Sequence, residues 1–402
     1  MANTNLTIDM ITREALRIAH EKAVYLNTID RQYDDSFAIS GAKIGSSLRI
    51  RQPNRFTRRQ GSRVMDVQDV TETSITATVA TQDGVDIRFN SAELALDIDD
   101  FSKRYIEPAT AVLMSGIEAD VLVAQQKLVY NSVGTTATPM TDLIEAGEAR
   151  ARLNEGLAPK ENRCIQLSSA RAGGMVNGLS GLFHSGPDIK HQYNEGALGR
   201  IAGFDWFENE RLWNRTMVAD VTGTLDATHL VTDGGNDMDC HTTIATTAVG
   251  EVFTLAGVYA AHPETKASLG YLQQFTILTG AVGVLTVSPS TYLTGALQNV
   301  CSVSGAQLAT TDFGTTNTMV FVGAASSTIK QNLAYQKEWA TFITADLPLM
   351  DDAHRCARRN QDGFSIRVWE ASDIRNDERL MRLDILYGHK VLRPEWATNI
   401  TD

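Results

Sequence analysis

The sequence predicts an α+β protein interrupted by an all-β insertion, and three observations carry that prediction. One long helical pattern runs unbroken from Pro108 to Val133. Period-two strand patterns lie on both sides of it. Near Val221 the composition shifts: from Cys240 to Ala325 only Glu251, Glu264, Lys266 and Asp312 are charged, while Thr, Gly, Ala and Val dominate.

At 402 residues the chain has room for two or three domains with proper cores. Hydrophobic content of 43% and charged content of 21% are those of a folded soluble protein. The net charge of −12 argues against a surface that grips nucleic acid by counterion release. Cys164, Cys240, Cys301 and Cys356 make no CxxC pair, so neither a zinc site nor a disulfide framework is expected. MANTNLTIDM has neither a basic n-region nor an apolar h-region, so no signal peptide is expected. Ala267 to Thr311 is uncharged but broken by Gly, Gln, Ser, Thr and Pro, which does not fit a membrane span.

Taken in order, Thr7 to Leu26 reads as an amphipathic helix, with Ile8, Ile11, Ala15, Ile18 and Ala19 on one face. An extended segment, Tyr33 to Ile44, connects it to the body. From Ser46 to Asn90 the period is two. Leu48 and Ile50 alternate with Arg49 and Arg51, and Ile75, Ala77 and Val79 alternate with threonines. Val85, Ile87 and Phe89 follow Asp83-Gly84, a hairpin-turn signal. Between these strands lies QPNRFTRRQGSRV. Arg49, Arg51, Arg55, Arg58, Arg59 and Arg63 thus crowd one short stretch of an acidic protein. Such an arm is either a solvated loop or a reach toward a neighbour, whose carboxylates its forked guanidinium groups can pair. Nucleic-acid contact ranks third, because Phe56 alone is available for stacking.

In the long helix, Pro108 at the first position and Gly134 past the end are the expected termini. Leu113, Ile117, Val121, Ala124 and Leu128 draw an apolar stripe, with Val112, Gly116, Ala119 and Val123 beside it. Glu118, Gln125 and Gln126 are left as the wet side. Thr141 to Glu155 is a second helix, capped by Thr141 and ended by Gly156 and Pro159. Cys164 to Leu167 is a short strand, Ser169 to Leu179 a glycine-weakened helix, and His184 to Arg200 a polar loop. GFDWFENERLW, from Gly203, gathers aromatics at a core edge or subunit contact. VFTLAGVYA, QQFTILTG, GVLTVSP, NVCSVSG and TMVFVGA then follow at short intervals, the signature of a small barrel or sandwich spanning 222–325. Residues 332–349 read as one strand, Phe364 to Glu370 as another. Met381 to Tyr387 makes a third, ended by Gly388 and Pro394. Together they form an antiparallel sheet on which the long helix can lie.

No nucleotide-binding, nucleophile-elbow or zinc-protease motif is present. His184 and His191 read as solvent-exposed. Asp233, Asp237 and Asp239 are the most metal-like group, but they lack the spacing and closing glutamate of a calcium loop and read as a turn. Asp97, Asp99 and Asp100 offer carboxylates without an inferable pocket. No catalytic residue, cofactor or metal is therefore expected.

The order of parts, and GRIAGFDWFENERL, NLAYQKEWATFITADLPL and DERLMRLDILYGHKVLRPEWA, resemble the major capsid proteins of tailed double-stranded DNA bacteriophages. The resemblance is to the Hong Kong-phage capsid fold, in the short-tailed Salmonella phage branch with an inserted β-barrel. It implies an N-terminal arm (1–45), an extended β-hairpin (46–90) and a peripheral domain (91–139) with its spine helix 108–133. An axial domain (140–221), the inserted domain (222–325) and a return through the axial and peripheral domains (326–402) complete the layout. It also implies an icosahedral shell of pentamers and hexamers around double-stranded DNA that is not bound sequence-specifically. Scaffolding and portal proteins are the implied partners, assembly takes place in the host cytoplasm, and no membrane or catalysis is involved. The other reading the residues allow is a phage tail or surface protein whose β domain binds a ligand.

Overall fold

The computed structural model describes residues 8–33, 46–58, 61, 65, 67–68, 72–90, 102–134, 140, 143–179, 199–217, 222–226, 231–240, 247–281, 284–314, 317–350, 355–373 and 378–401. The chain divides into two compact units. One comprises Met1–Ile50, Ser74–Val121 and Ala340–Leu392; the other comprises Arg51–Thr73, Leu122–Trp339 and Arg393–Asp402.

In the first unit, α1 (Ile8–Lys22) buries Ile11, Thr12, Ala15, Leu16, Ile18 and Ala19. It packs on strands Arg355–Gln361 and Phe364–Asp373. Asp30–Tyr33 is a strand, parallel to Ala340–Ala345; beyond Tyr33 the rest of the expected extended segment, to Ile44, lies outside the described residues. That strand pairs antiparallel with the long strand Glu378–Val391, whose other side meets Phe364–Asp373 and then Arg355–Gln361. Buried Arg367 meets buried Asp384 at 2.6 Å and donates to the Pro348 carbonyl at 2.9 Å, so both charges are compensated.

Asp83-Gly84 is not a turn. Both residues lie inside the strand Thr81–Asn90, which pairs along Glu378–Tyr387. A Cβ at Gly84 would stand 2.5 Å from Asp384 Oδ1 and 2.8 Å from the Leu383 carbonyl oxygen. Glycine is needed for close approach, not for a turn. Gly388 likewise sits within its strand rather than ending it, and a Cβ there would be 2.1 Å from the Thr78 carbonyl oxygen. The hairpin itself is formed by Ser46–Arg51 and Ser74–Val79. Ala77 and Val79 face inward, as the alternation requires.

The long helix, α2 (Glu107–Gln126), follows a π-helical turn, Ser102–Ile106. It stops seven residues short of Val133. Leu128 N–H bonds back to Gln125 O and Val129 N–H to Gln126 O, tightening the last turn. Asn399 Nδ2 donates to Gln126 O and Thr276 Oγ1 to Lys127 O, which satisfies terminal carbonyls from distant chain. Ser132–Val133 then becomes a strand, parallel to Ala397–Thr401. The wet side is also not where the pattern puts it: Glu118, Gln125 and Gln126 are fully buried, while Val112 and Gly116 are exposed. Glu118 accepts the Val24 N–H at 2.8 Å. The Gln126 side chain donates to Gln331 O and accepts the Trp213 N–H. Glu118 and Gln126 are polar groups buried together with specific hydrogen bonds.

In the second unit, α3 (Ile144–Glu155) packs on a mixed sheet, and α4 (Ser169–Leu179) follows its strand Arg163–Leu167. Its central strand, Thr328–Gln336, pairs with Ala397–Thr401, Arg163–Leu167 and Asn214–Thr216. Thr141, the expected cap of α3, lies outside the described residues, as does most of the 184–200 loop. Residues 332–349 are not one strand. A 3-10 turn, Lys337–Trp339, separates Thr328–Gln336 from Ala340–Ala345, and the two belong to different sheets. Phe204, Trp206 and Trp213 are buried, as a core edge demands.

The remaining sheet is antiparallel, in the order Thr222–Thr224, Thr318–Phe321, Val252–Ala261, Ser268–Ala281, Val284–Thr291 and Gly235–Asp239. Val300–Cys301 adds to Val252–Ala261. Its outer strands meet through an isolated bridge, Leu225 to Cys240, and an Asp226 N–H to Asp239 O bond of 3.0 Å. The sheet therefore closes on itself, which removes its edges. Phe253, Phe275 and Phe321 pack inside at ring separations of 5.6–5.7 Å. The same core includes Met217 and Ile329, on either side of the 222–325 span.

Candidate assembly surfaces

The basic arm begins where Ser46–Arg51 and Ser74–Val79 part, with Gln52 N–H bonded to Thr73 O at 2.9 Å. Arg49 Nε donates to Ser74 Oγ at 2.7 Å. Arg51 pairs with Glu72 at 3.3 Å and Arg55 with Glu395 at 3.2 Å. Arg58 is exposed, while Arg59 and Arg63 lie outside the described residues. Exposed pairs of this kind contribute only ~0–1 kcal/mol each, so they leave the guanidinium groups open to exchange partners. Farther out, Gln68 clasps Thr57: its Oε1 accepts the Thr57 N–H at 2.8 Å and its Nε2 donates to the Thr57 carbonyl at 2.7 Å. On this loop Phe56, Met65 and Val67 are 59%, 81% and 78% exposed, Phe56 and Val67 adjoining the clasp in sequence. Charge patterning does not reveal these three, because single exposed apolar residues are common.

The carboxylates singled out by sequence have structural roles where they are described. Asp233 Oδ1 accepts the Leu293 N–H at 2.6 Å and its Oδ2 the Thr294 hydroxyl at 3.0 Å. Asp237 accepts the Thr286 hydroxyl at 3.3 Å. Only Asp233-Gly234 forms the expected turn; Gly235–Asp239 is a barrel strand. Asp97, Asp99, Asp100, His184 and His191 lie outside the described residues. Among the described residues no group of His, Cys, Asp and Glu is placed to hold a metal ion. Cys164 is buried, and burial pushes its thiol up to about 12, with Asp205 adding to the shift. Among the described residues no helix is long and apolar enough to cross a membrane.

A family model described as P22 coat protein, gene protein 5, matches residues 42–399. The chain belongs to the P22 coat protein family. Among solved structures it is similar to one of Mycobacterium phage Che8, at 10% identity and a TM-score of 0.45, covering 94% of this chain and 90% of that one. The capsid of cyanophage P-SCSP1u is similar at 10% identity and a TM-score of 0.43, with 93% and 85% covered. A virus-like particle from Pyrococcus furiosus gives 7% identity, a TM-score of 0.40 and 98% coverage of each chain. No curated protein matches. This coat subunit is a structural, shell-forming major capsid protein of the tailed-phage capsid fold, and its place is the virion. A shell-forming role makes surfaces between copies the candidate functional sites.

Proposed function

We propose that the subunit assembles into an icosahedral shell of pentamers and hexamers that encloses double-stranded DNA. Assembly takes place in the host cytoplasm, with a scaffolding protein and a portal as partners, and neither catalysis nor a cofactor is involved. Residues 1–45 serve as the N-terminal arm and 46–90 carry the reaching arm. Residues 91–139 form the peripheral domain, 140–221 the axial domain, and 222–325 the inserted barrel; 326–402 return through the first two. Arg49, Arg51, Arg55, Arg58, Arg59 and Arg63 make the arm a contact for a neighbouring subunit's carboxylates.

The observation that carries this reading is the family match across 42–399, which includes the whole arm. The charge distribution supports it: a net charge of −12 keeps the shell from adhering to a polyanion that must later leave. Reversing charge in the double variant Arg55→Glu/Arg58→Glu tests the arm. The variant subunit is expected to fold, by circular dichroism, and to assemble more slowly at low salt, by light scattering. Unchanged assembly at low salt rules out the arginines as inter-subunit contacts.

A further inference from the structure

We infer that the arm is anchored on a second copy of this chain chiefly by the apolar tip Phe56, Met65 and Val67, and that the arginines steer it there. This inference rests on the arm acting between subunits, as proposed above, and assigns its holding energy to different residues. Arg49, Arg51 and Arg55 already have partners within their own chain, at Ser74, Glu72 and Glu395. A neighbour's carboxylates gain little by displacing Glu72 or Glu395, since one exposed pair is exchanged for another. The apolar tip gains much more. Its three side chains stand 59–81% exposed on the same loop, and burying each removes apolar surface from water.

Two hydrogen bonds between the Gln68 amide and the Thr57 backbone join the two limbs of the loop, and Phe56 and Val67 are the immediate neighbours of the clasped residues. Less ordering of these two side chains is then left to be done on docking.

Charge identifies the occupant. Residues 46–73 hold six arginines against Asp66, Asp69 and Glu72, a net +3, so the rest of each copy carries −15 of the total −12. Every copy therefore attracts the arm of another. Complementary charge of that kind raises the rate of encounter, while a buried aromatic core sets the rate of departure.

The test compares Phe56→Ser/Val67→Ser with Arg55→Glu/Arg58→Glu, each followed by light scattering over a salt series, alone and with scaffolding protein. The apolar variant is expected to need roughly tenfold or more protein to assemble at every salt concentration. Phe56→Leu is expected to restore most of that loss. The charge variant is expected to lose rate mainly at low salt. If the apolar variant assembles like the parent while the charge variant fails, the inference is overturned and the arm reading survives. If both assemble like the parent, the arm reading itself fails. A Phe56→Trp subunit gives an independent readout: its added emission shifts to the blue on assembly, and an unshifted spectrum overturns burial of the tip.

Discussion

At the scale of single residues, glycine at 388 is dictated by a neighbouring strand. A methyl group there would lie 2.1 Å from the Thr78 carbonyl oxygen, so Gly388→Ala forces the two backbones apart. Such overpacking costs about 1–3 kcal/mol or more, and urea unfolding is expected to show a loss of that size. A midpoint equal to the parent's would mean that the approach is not this close. Cys164 provides a pH-linked test. With its thiol held up to about 12, the folded protein keeps that proton while an unfolded chain, ionising at the ordinary value near 9, gives it up. Its contribution is therefore complete below pH 9 and is lost as pH rises from 9 toward 12. Accordingly, a thiol reagent at pH 8 is expected to modify half-buried Cys356 in the native protein but Cys164 only after denaturation. Native-state modification of Cys164 contradicts the account.

At the scale of elements, the barrel core extends beyond the stretch whose composition marks it. Met217 and Ile329 pack into it, and Met217 N–H bonds to Ser327 O at 2.8 Å. A fragment of residues 217–329 is expected to unfold cooperatively, and one of 222–325 to be weaker by several kcal/mol, each lost apolar side chain costing ~2–5 kcal/mol. An unstructured 217–329 fragment would show that the barrel depends on the rest of its unit. This case also shows what was legible in the chain. The barrel strands, α1, α4 and the strand Phe364–Asp373 follow from local periodicity and turn residues. The end of α2 does not, because Asn399 and Thr276 take up its terminal carbonyls from far along the chain. Nor does the buried side of α2. Glu118 and Gln126 look like solvent residues until the Val24 and Trp213 N–H groups they accept are known. Asp83-Gly84 misleads for a related reason: the same dipeptide that makes a turn also lets two strands approach.

At the scale of the whole molecule, the coat-protein family is legible from the order of elements and three sequence stretches, and the arginine cluster from charge alone. The apolar tip of the arm is not legible, because nothing in a sequence distinguishes an exposed phenylalanine from a buried one until the loop is built. Closed shells repeat each contact in every subunit, so contacts that are individually weak accumulate over the assembly. The central claim is that this chain builds such a shell, and electron microscopy of the purified protein under assembly conditions, alone and with scaffolding protein, tests it most directly. Closed shells of uniform diameter are the expected result; a compact monomer under every condition would contradict it.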